Sequence, residues 1–295
     1  MKFLICGDLH ITNKTPENRI DNYFETQFNK IKWIITLANT LNSFLIFPGD
    51  VFDSYKQSNF VLQTYISLFA TAKYPIFAIF GQHDMKYHSI EKEDTPLAVL
   101  EAANVLTIVK KETEEDIIIY GVSFEEEITS IEKQSKFTLL LTHQMIIHND
   151  KIWNDQVGYI YAENLLRKHK FDLIVSGDNH HFFIAEQGNK LLVNCGSLMR
   201  STTAQLNHIP KVVLFDTETR KYKEYEVPVK PISEVFNLEK ITIKKEKEEK
   251  FDVFIKGLNE SKSMNFSFQD SLDDYIKENK IGKEIEEIIM EAVNG

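Results

Sequence analysis

The sequence predicts an α/β layered architecture, sheets covered by helices, on three observations. Strand-like apolar runs alternate with helix-period segments early in the chain. The later part is strand-rich, with polar or glycine-containing turns between the runs. With 43% apolar and 12% aromatic residues among 295, the chain can bury a sizeable core.

The strands come in order as Lys2–Cys6, Ser43–Phe47, Tyr74–Phe80, Ile117–Val122, Phe137–Leu141 and Asp172–Val175. Phe182–Ala185, Leu191–Asn194, Lys211–Asp216 and Tyr222–Val227 follow as hairpin strands. Between the early strands, Asn22–Leu41 repeats Phe24, Phe28, Ile31, Ile35 and Ala38 at spacings of three and four, a helix with one apolar face. Ser58–Ala72 is a second helix. Thr95–Ala103 is a third, opened by Thr95 as N-cap and Pro96 at the first helical position.

The character changes after Pro228 and Pro231. Residues 1–230 are expected to form one domain and 231–295 a charged linker with a mainly helical extension. Leu272–Asn279 and Lys283–Val293 are its helix-like pieces, the second with an apolar stripe of Ile285, Ile288, Ile289 and Ala292. That stripe suits packing on the core or docking a partner.

Bulk properties narrow the function. A net charge of −10 argues against coating nucleic acid by charge alone. It leaves a nucleic-acid enzyme open, because bound metal ions are not in the sum. Cys6 and Cys195 are too few for a disulfide framework and suit a reducing compartment. The apolar run at the amino terminus is too short for a signal peptide, and no stretch nears the roughly 18 apolar residues of a membrane span. A cytoplasmic protein without membrane attachment is expected.

The chemistry lies in five blocks, each following an apolar strand: Gly7-Asp8-Leu9-His10, Gly49-Asp50-Val51-Phe52-Asp53, Gly81-Gln82-His83-Asp84, Thr142-His143 and Gly177-Asp178-Asn179-His180-His181. Loops at the carboxyl ends of α/β strands project side chains towards a common centre. Asp8 and His10, two apart, face the same side of an extended loop. Such a set of oxygen and imidazole donors is what two neighbouring divalent cations require. Asp53 either orients a metal ligand or caps the following helix. His88, His148, His169 and His208 read as surface residues. Trp153, Tyr159 and Tyr161 follow His143 and either stack on a base or pack in the core.

In order and spacing the blocks resemble the D-x-H, G-D-x-x-D, G-N-H-D, lone H and G-H-x-H pattern of the calcineurin-like metallophosphoesterases, over roughly residues 1–230. The resemblance implies a four-layer α/β/β/α sandwich and a metal-dependent phosphoesterase. Pro16-Glu17-Asn18-Arg19-Ile20-Asp21 and Asn194-Cys195-Gly196-Ser197-Leu198-Met199-Arg200 are similar to the DNA-repair exonuclease branch, the SbcD-like nuclease subunits of bacteria and bacteriophages. Those act on DNA ends with a coiled-coil ATPase, so DNA and such an ATPase are the implied partners; a homodimer is a further arrangement it allows.

Carried over by residue, the resemblance gives Asp8, His10 and His180 to a first metal and makes Asp50 a bridge. Gln82, His143 and Asp178 go to a second metal. His83 stands beside the scissile phosphate, held by Asp84. Arg19 and Arg200 contact phosphate or, alternatively, form structural salt bridges. Two departures fall on the second metal: Gln82 replaces the family's Asn, and Asp178 replaces a His. A shifted ion, a weak site, or substitution by His181 each accommodates them. The added carboxylate favours Mn²⁺, or else Mg²⁺, over Zn²⁺. The expected activity is DNA exonuclease and endonuclease cleavage. The alternatives are a phosphodiesterase or phosphatase for small or cyclic nucleotides, and a non-catalytic scaffold with a degenerate second site.

Overall fold

The computed structural model describes residues 1–88, 94–132, 134–148, 157–261, 276–277 and 281. The chain falls into two compact units, Met1–Phe236 and Asn237–Gly295.

The first unit opens with β1 (Lys2–Ile5), α1 (Tyr23–Leu41), β2 (Phe44–Phe47), α2 (Asn59–Phe69), β3 (Ile76–Ala78), α3 (Pro96–Ala102) and β4 (Thr107–Ile108). Next come β5 (Lys111–Glu114), β6 (Ile117–Val122), β7 (Phe137–His143), β8 (Ile146–Ile147), β9 (Ile160–Tyr161), α4 (Ala162–Lys168) and β10 (Leu173–Gly177). It closes with β11 (Phe183–Gln187), β12 (Lys190–Asn194), β13 (Lys211–Asp216), β14 (Lys221–Glu226) and α5 (Ile232–Val235). Side-chain caps start the three early helices: Asn22 accepts from Glu25 N, Ser58 from Val61 N and Thr95 from Ala98 N.

Two six-stranded sheets result. The first runs β14-β13-β1-β2-β3-β4, with β1 to β4 parallel and the β13–β14 hairpin antiparallel at one side. The second runs β11-β12-β10-β7-β6-β5, parallel in the middle with antiparallel strands at both edges.

Strand alternation sorts the apolar side chains into three buried layers. Phe3, Ile5, Ile46 and Phe77 of the first sheet meet Leu139, Leu141, Leu173 and Val175 of the second. Leu4, Leu45 and Phe47 point the other way, onto Ile31, Ile35, Val61, Tyr65 and Leu97 of the covering helices. Leu140, Ile174 and Leu192 pack on Leu165 and Leu166 of α4. Three apolar seams make four layers, α/β/β/α. Central strands buried on both faces are therefore apolar throughout, and cutting one of these leucines to alanine costs about 2–5 kcal/mol.

The second unit contains α6 (Leu238–Ser261), which occupies the charged run expected to be a linker. Lys and Glu favour helix even where little is buried. Of the expected helical pieces beyond it, only Ile276–Lys277 are described, and they are helical; Lys283–Val293 lies outside the described residues. Among the described residues no helix is long and apolar enough to cross a membrane.

Candidate metal centre

The five blocks converge where the carboxyl ends of β1, β2 and β3 meet those of β7 and β10. Main-chain bonds tie the first two together: Leu9 N and His10 N both donate to Asp50 O, at 3.1 and 2.9 Å. Asp8 N donates to Gly196 O at 3.1 Å and Leu198 N to Asp8 O at 2.9 Å, which joins the first loop to the segment after β12.

Three of the expected donors have left-handed backbone: His10 at φ 46°, Asp50 at φ 45° and Asp178 at φ 76°. Such strain persists only where surroundings enforce it, and it clusters at functional sites. The loops are not extended, so Asp8 and His10 converge through this turn and not through strand alternation. Gly49, at φ 103°, leaves room for a ring: a Cβ there would stand 2.4 Å from His143 Nδ1. At Gly81 a Cβ would stand 2.2 Å from Asp50 Oδ1.

Asp50 Oδ2 is the hub. It lies 3.4 Å from His143 Nε2, 3.8 Å from His10 Nε2 and 4.0 Å from His83 Nε2. Asp8 Oδ2 lies 3.6 Å from His180 Nε2 and accepts the Asp178 amide at 3.0 Å. The Nε2 atoms of His10 and His180 are 3.1 Å apart. Two compact three-donor groups emerge among the described residues: Asp8, His10 and His180, and His10, Asp50 and His83.

The residues fit divalent cations. Asp8 Oδ1 and His143 Nε2 are buried without a hydrogen-bond partner, a costly state that bound cations would remove. His143 Nδ1 is 2.7 Å from Pro48 O, so the N–H there donates to the carbonyl and turns Nε2 towards Asp50. Burial holds His10 down at about 3 and also lowers His180, leaving neutral rings with lone pairs to offer. Burial raises the Asp8 carboxyl as well. His143 goes the other way. Burial opposes its charge, but Asp50, then Asp8 and Asp178, lift it to about 10. Reciprocally, burial is outweighed at Asp50 by His143 and the other imidazoles, which hold that carboxyl below the usual range.

The remaining expected residues are placed as follows. Gln82 is partly buried in the turn that carries His83. Asp178 lies outside both three-donor groups, and burial raises its carboxyl. The His83 side chain is 42% exposed; its amide donates to Asp50 Oδ1 at 2.8 Å and its Nδ1 lies 3.1 Å from Asp53 O.

Asp84 requires a correction. It does not hold the His83 ring. Its fully buried carboxylate accepts the amides of Val51, Phe52 and Gly81 at 3.2, 2.8 and 3.0 Å. The two neighbouring side chains point to opposite sides of the chain, one inward and one to solvent. Burial, then Asp50, pushes the Asp84 carboxyl up to about 7. Asp53 supports the rings, with Oδ1 3.8 Å from His10 Nδ1 and its carbonyl at His83.

Arg19 forms the structural salt bridge of the alternative reading, whereas Arg200 bonds to main-chain carbonyls. Arg19 pairs with both Asp21 oxygens at 2.8 Å and donates to Arg200 O at 2.6 Å. Arg200 donates to Leu206 O and Lys230 O. Of the histidines expected at the surface, His169 is buried against Phe171, His208 bonds to Ser197 O, and His148 pairs with Glu163. The His88 side chain and Trp153 lie outside what is described. Tyr159 and Tyr161 meet edge to face at 5.3 Å.

Sequence reasoning missed two positioning amides. Gln27, fully buried, bonds to the first loop, and its only signal was a polar residue on the largely apolar buried face of α1, which also carries Lys30. Asn194 Nδ2 donates to Asn179 O and His181 O at 2.6 and 2.7 Å, fixing the loop of His180.

The family described as calcineurin-like phosphoesterase matches residues 1–182. No curated protein gives a significant match. Among solved structures, the chain is similar to an archaeal phosphodiesterase at 19% identity and TM-score 0.44, over 77% of this chain and 99% of that one. It is similar to Zn²⁺-complexed Vps29 of Entamoeba histolytica at 14% identity and TM-score 0.36, over 77% and 100%. It is also similar to GAP50 of Plasmodium, an inner-membrane-complex anchor, at 12% identity and TM-score 0.38, over 78% and 89%. Likenesses this distant do not extend to activity.

Proposed function

From the premise that the chain belongs to the calcineurin-like phosphoesterase family, we propose that it is a two-metal phosphodiester hydrolase, a DNA exonuclease and endonuclease of SbcD-like type. The observation that carries the hydrolase reading is Asp50 Oδ2 facing three imidazole Nε2 atoms at 3.4 to 4.0 Å. The DNA reading is supported by the sequence resemblance at Pro16–Asp21 and Asn194–Arg200.

Asp8, His10 and His180 would hold one cation, Gln82, His143 and Asp178 the other, and Asp50 both. When bound, the pair supplies charge to offset the phosphate oxygens and acidifies water at neutral pH. With Nδ1–H given to Asp53 O, Nε2 is the nitrogen left to act, and only the imidazolium form of His83 carries the Nε2 proton that it would give to the leaving 3′ oxygen. General-acid help of this kind contributes about 10²–10⁴-fold. Asp84, bonded to three amides, keeps the Asp50 and His83 turns in register. Three carboxylates among the donors favour Mn²⁺, or else Mg²⁺. The unit 237–295 is the proposed dock for a coiled-coil ATPase, and the cytoplasm the proposed location.

The test is to incubate the protein with linear DNA, circular single-stranded DNA and bis-p-nitrophenyl phosphate, with Mn²⁺ or a chelator, beside His83→Ala. Mn²⁺-dependent loss of DNA, slowed in the variant by about 10²–10⁴-fold, is expected. Hydrolysis of the small ester alone would replace the nuclease with a small-substrate enzyme. No turnover and no bound metal would leave a scaffold.

A further inference from the structure

Two tyrosines beside the centre have no part in the chemistry above. Tyr55 lies two residues beyond Asp53, and Tyr87 four beyond His83. The Asp53 carbonyl holds the His83 ring at 3.1 Å, so the two loops are joined at the foot of both tyrosines. Two residues of chain reach at most about 7 Å, which keeps Tyr55 close to the proton-holding histidine.

The backbone and exposure of Tyr87 are unusual for a residue that serves only the fold. The ring centroids are 5.6 Å apart with planes at 50°, a tilted contact that leaves most of the Tyr87 ring open to solvent. Tyr87 is 79% exposed, yet its backbone is left-handed at φ 52°. A bulky side chain seldom adopts that conformation, and here its own burial returns little. Lys56 Nζ stands 5.4 Å over the Tyr55 ring. Lys86, next to Tyr87, is held by Asp94 at 3.1 Å. An exposed ring seated on a half-buried one, with ammonium groups nearby in a net-acidic chain, combines base stacking with local attraction for a phosphate backbone.

We propose that Tyr55 and Tyr87 form a stacking subsite for an unpaired nucleobase adjoining the scissile phosphate. The inference rests on the nuclease reading and names its substrate class as single-stranded or frayed ends. A base inside a duplex has both faces covered by its neighbours, so only an unstacked one offers a face to the exposed Tyr87 ring.

The experiment measures KM and kcat for Mn²⁺-dependent cleavage of single-stranded oligonucleotides in which one abasic sugar is walked along the strand. Wild type is expected to show a KM about tenfold higher when the abasic sugar falls at one position near the cut. Tyr87→Ala is expected to raise KM for the intact strand to that abasic level, with kcat little altered, and Tyr87→Trp to restore the difference. If wild type cleaves DNA but treats intact and abasic strands alike, or if Tyr87→Ala keeps the distinction, the stacking subsite is wrong and the nuclease reading survives. If wild type cleaves bis-p-nitrophenyl phosphate and no DNA, both fall together.

Discussion

Gln27 holds the backbone of His10 in its left-handed turn. From the buried face of α1, its Nε2 donates to Leu9 O at 3.0 Å and to His10 O at 2.8 Å, while its Oε1 accepts Thr12 N at 3.0 Å. One amide side chain thus satisfies three main-chain groups of the first loop.

Replacing Gln27 with Leu keeps the volume and strands those groups. The expected loss is about 1–3 kcal/mol of stability, with weaker metal binding because His10 is freed. Urea unfolding and Mn²⁺ calorimetry measure both; unchanged affinity would show that His10 needs no such support.

Asp50→Asn removes the carboxylate charge that faces His10, His83 and His143. Metal-dependent hydrolysis of bis-p-nitrophenyl phosphate should fall by more than about 100-fold, beyond what loss of an outer partner costs. An unaltered rate across a Mn²⁺ titration would refute the bridging role.

Asp178 decides the second ion. For Asp178→Ala the Mn²⁺ concentration giving half-maximal rate should rise by about 10–100-fold, with one of two calorimetric sites weakened. Retention of two sites of wild-type strength would remove Asp178 from the ligand set and turn attention to His181.

Lys30 predicts a pH effect. Its ammonium, 6% exposed, donates to Leu198 O at 2.9 Å, and burial, then Arg200 and Arg19, lower it to about 7. Below that value folded and unfolded chains both carry the proton. Between about 7 and the ordinary 10.5 only the unfolded chain does, so stability from this group rises with pH there. Urea midpoints should climb more steeply across that window for wild type than for Lys30→Met, and parallel curves would rule it out.

The strands were legible because a strand buried on both faces must be apolar at nearly every position, as in Leu139–Leu141. α1 was legible from its stripe. α4 was not: it is as short as α3 but lacks the side-chain N-cap and first-turn proline that marked that helix. The donor residues were legible from order and spacing. Their aim was not: Pro48 O and Asp53 O orient His143 and His83, and a carbonyl oxygen has no sequence signature. The direction of Asp84 was lost for a related reason, its partners being amides of Val51, Phe52 and Gly81.

The centre straddles the seam between the sheets. Asp8, Asp50 and His83 belong to one and His143 and His180 to the other, so neither half holds a complete set. The pocket therefore comes into being only after the inter-sheet core has closed, late in folding and through contacts far apart in sequence. Once filled, it works as a rivet. Ions there would bind both sheets at their loop ends and favour the closed state more as their concentration rises.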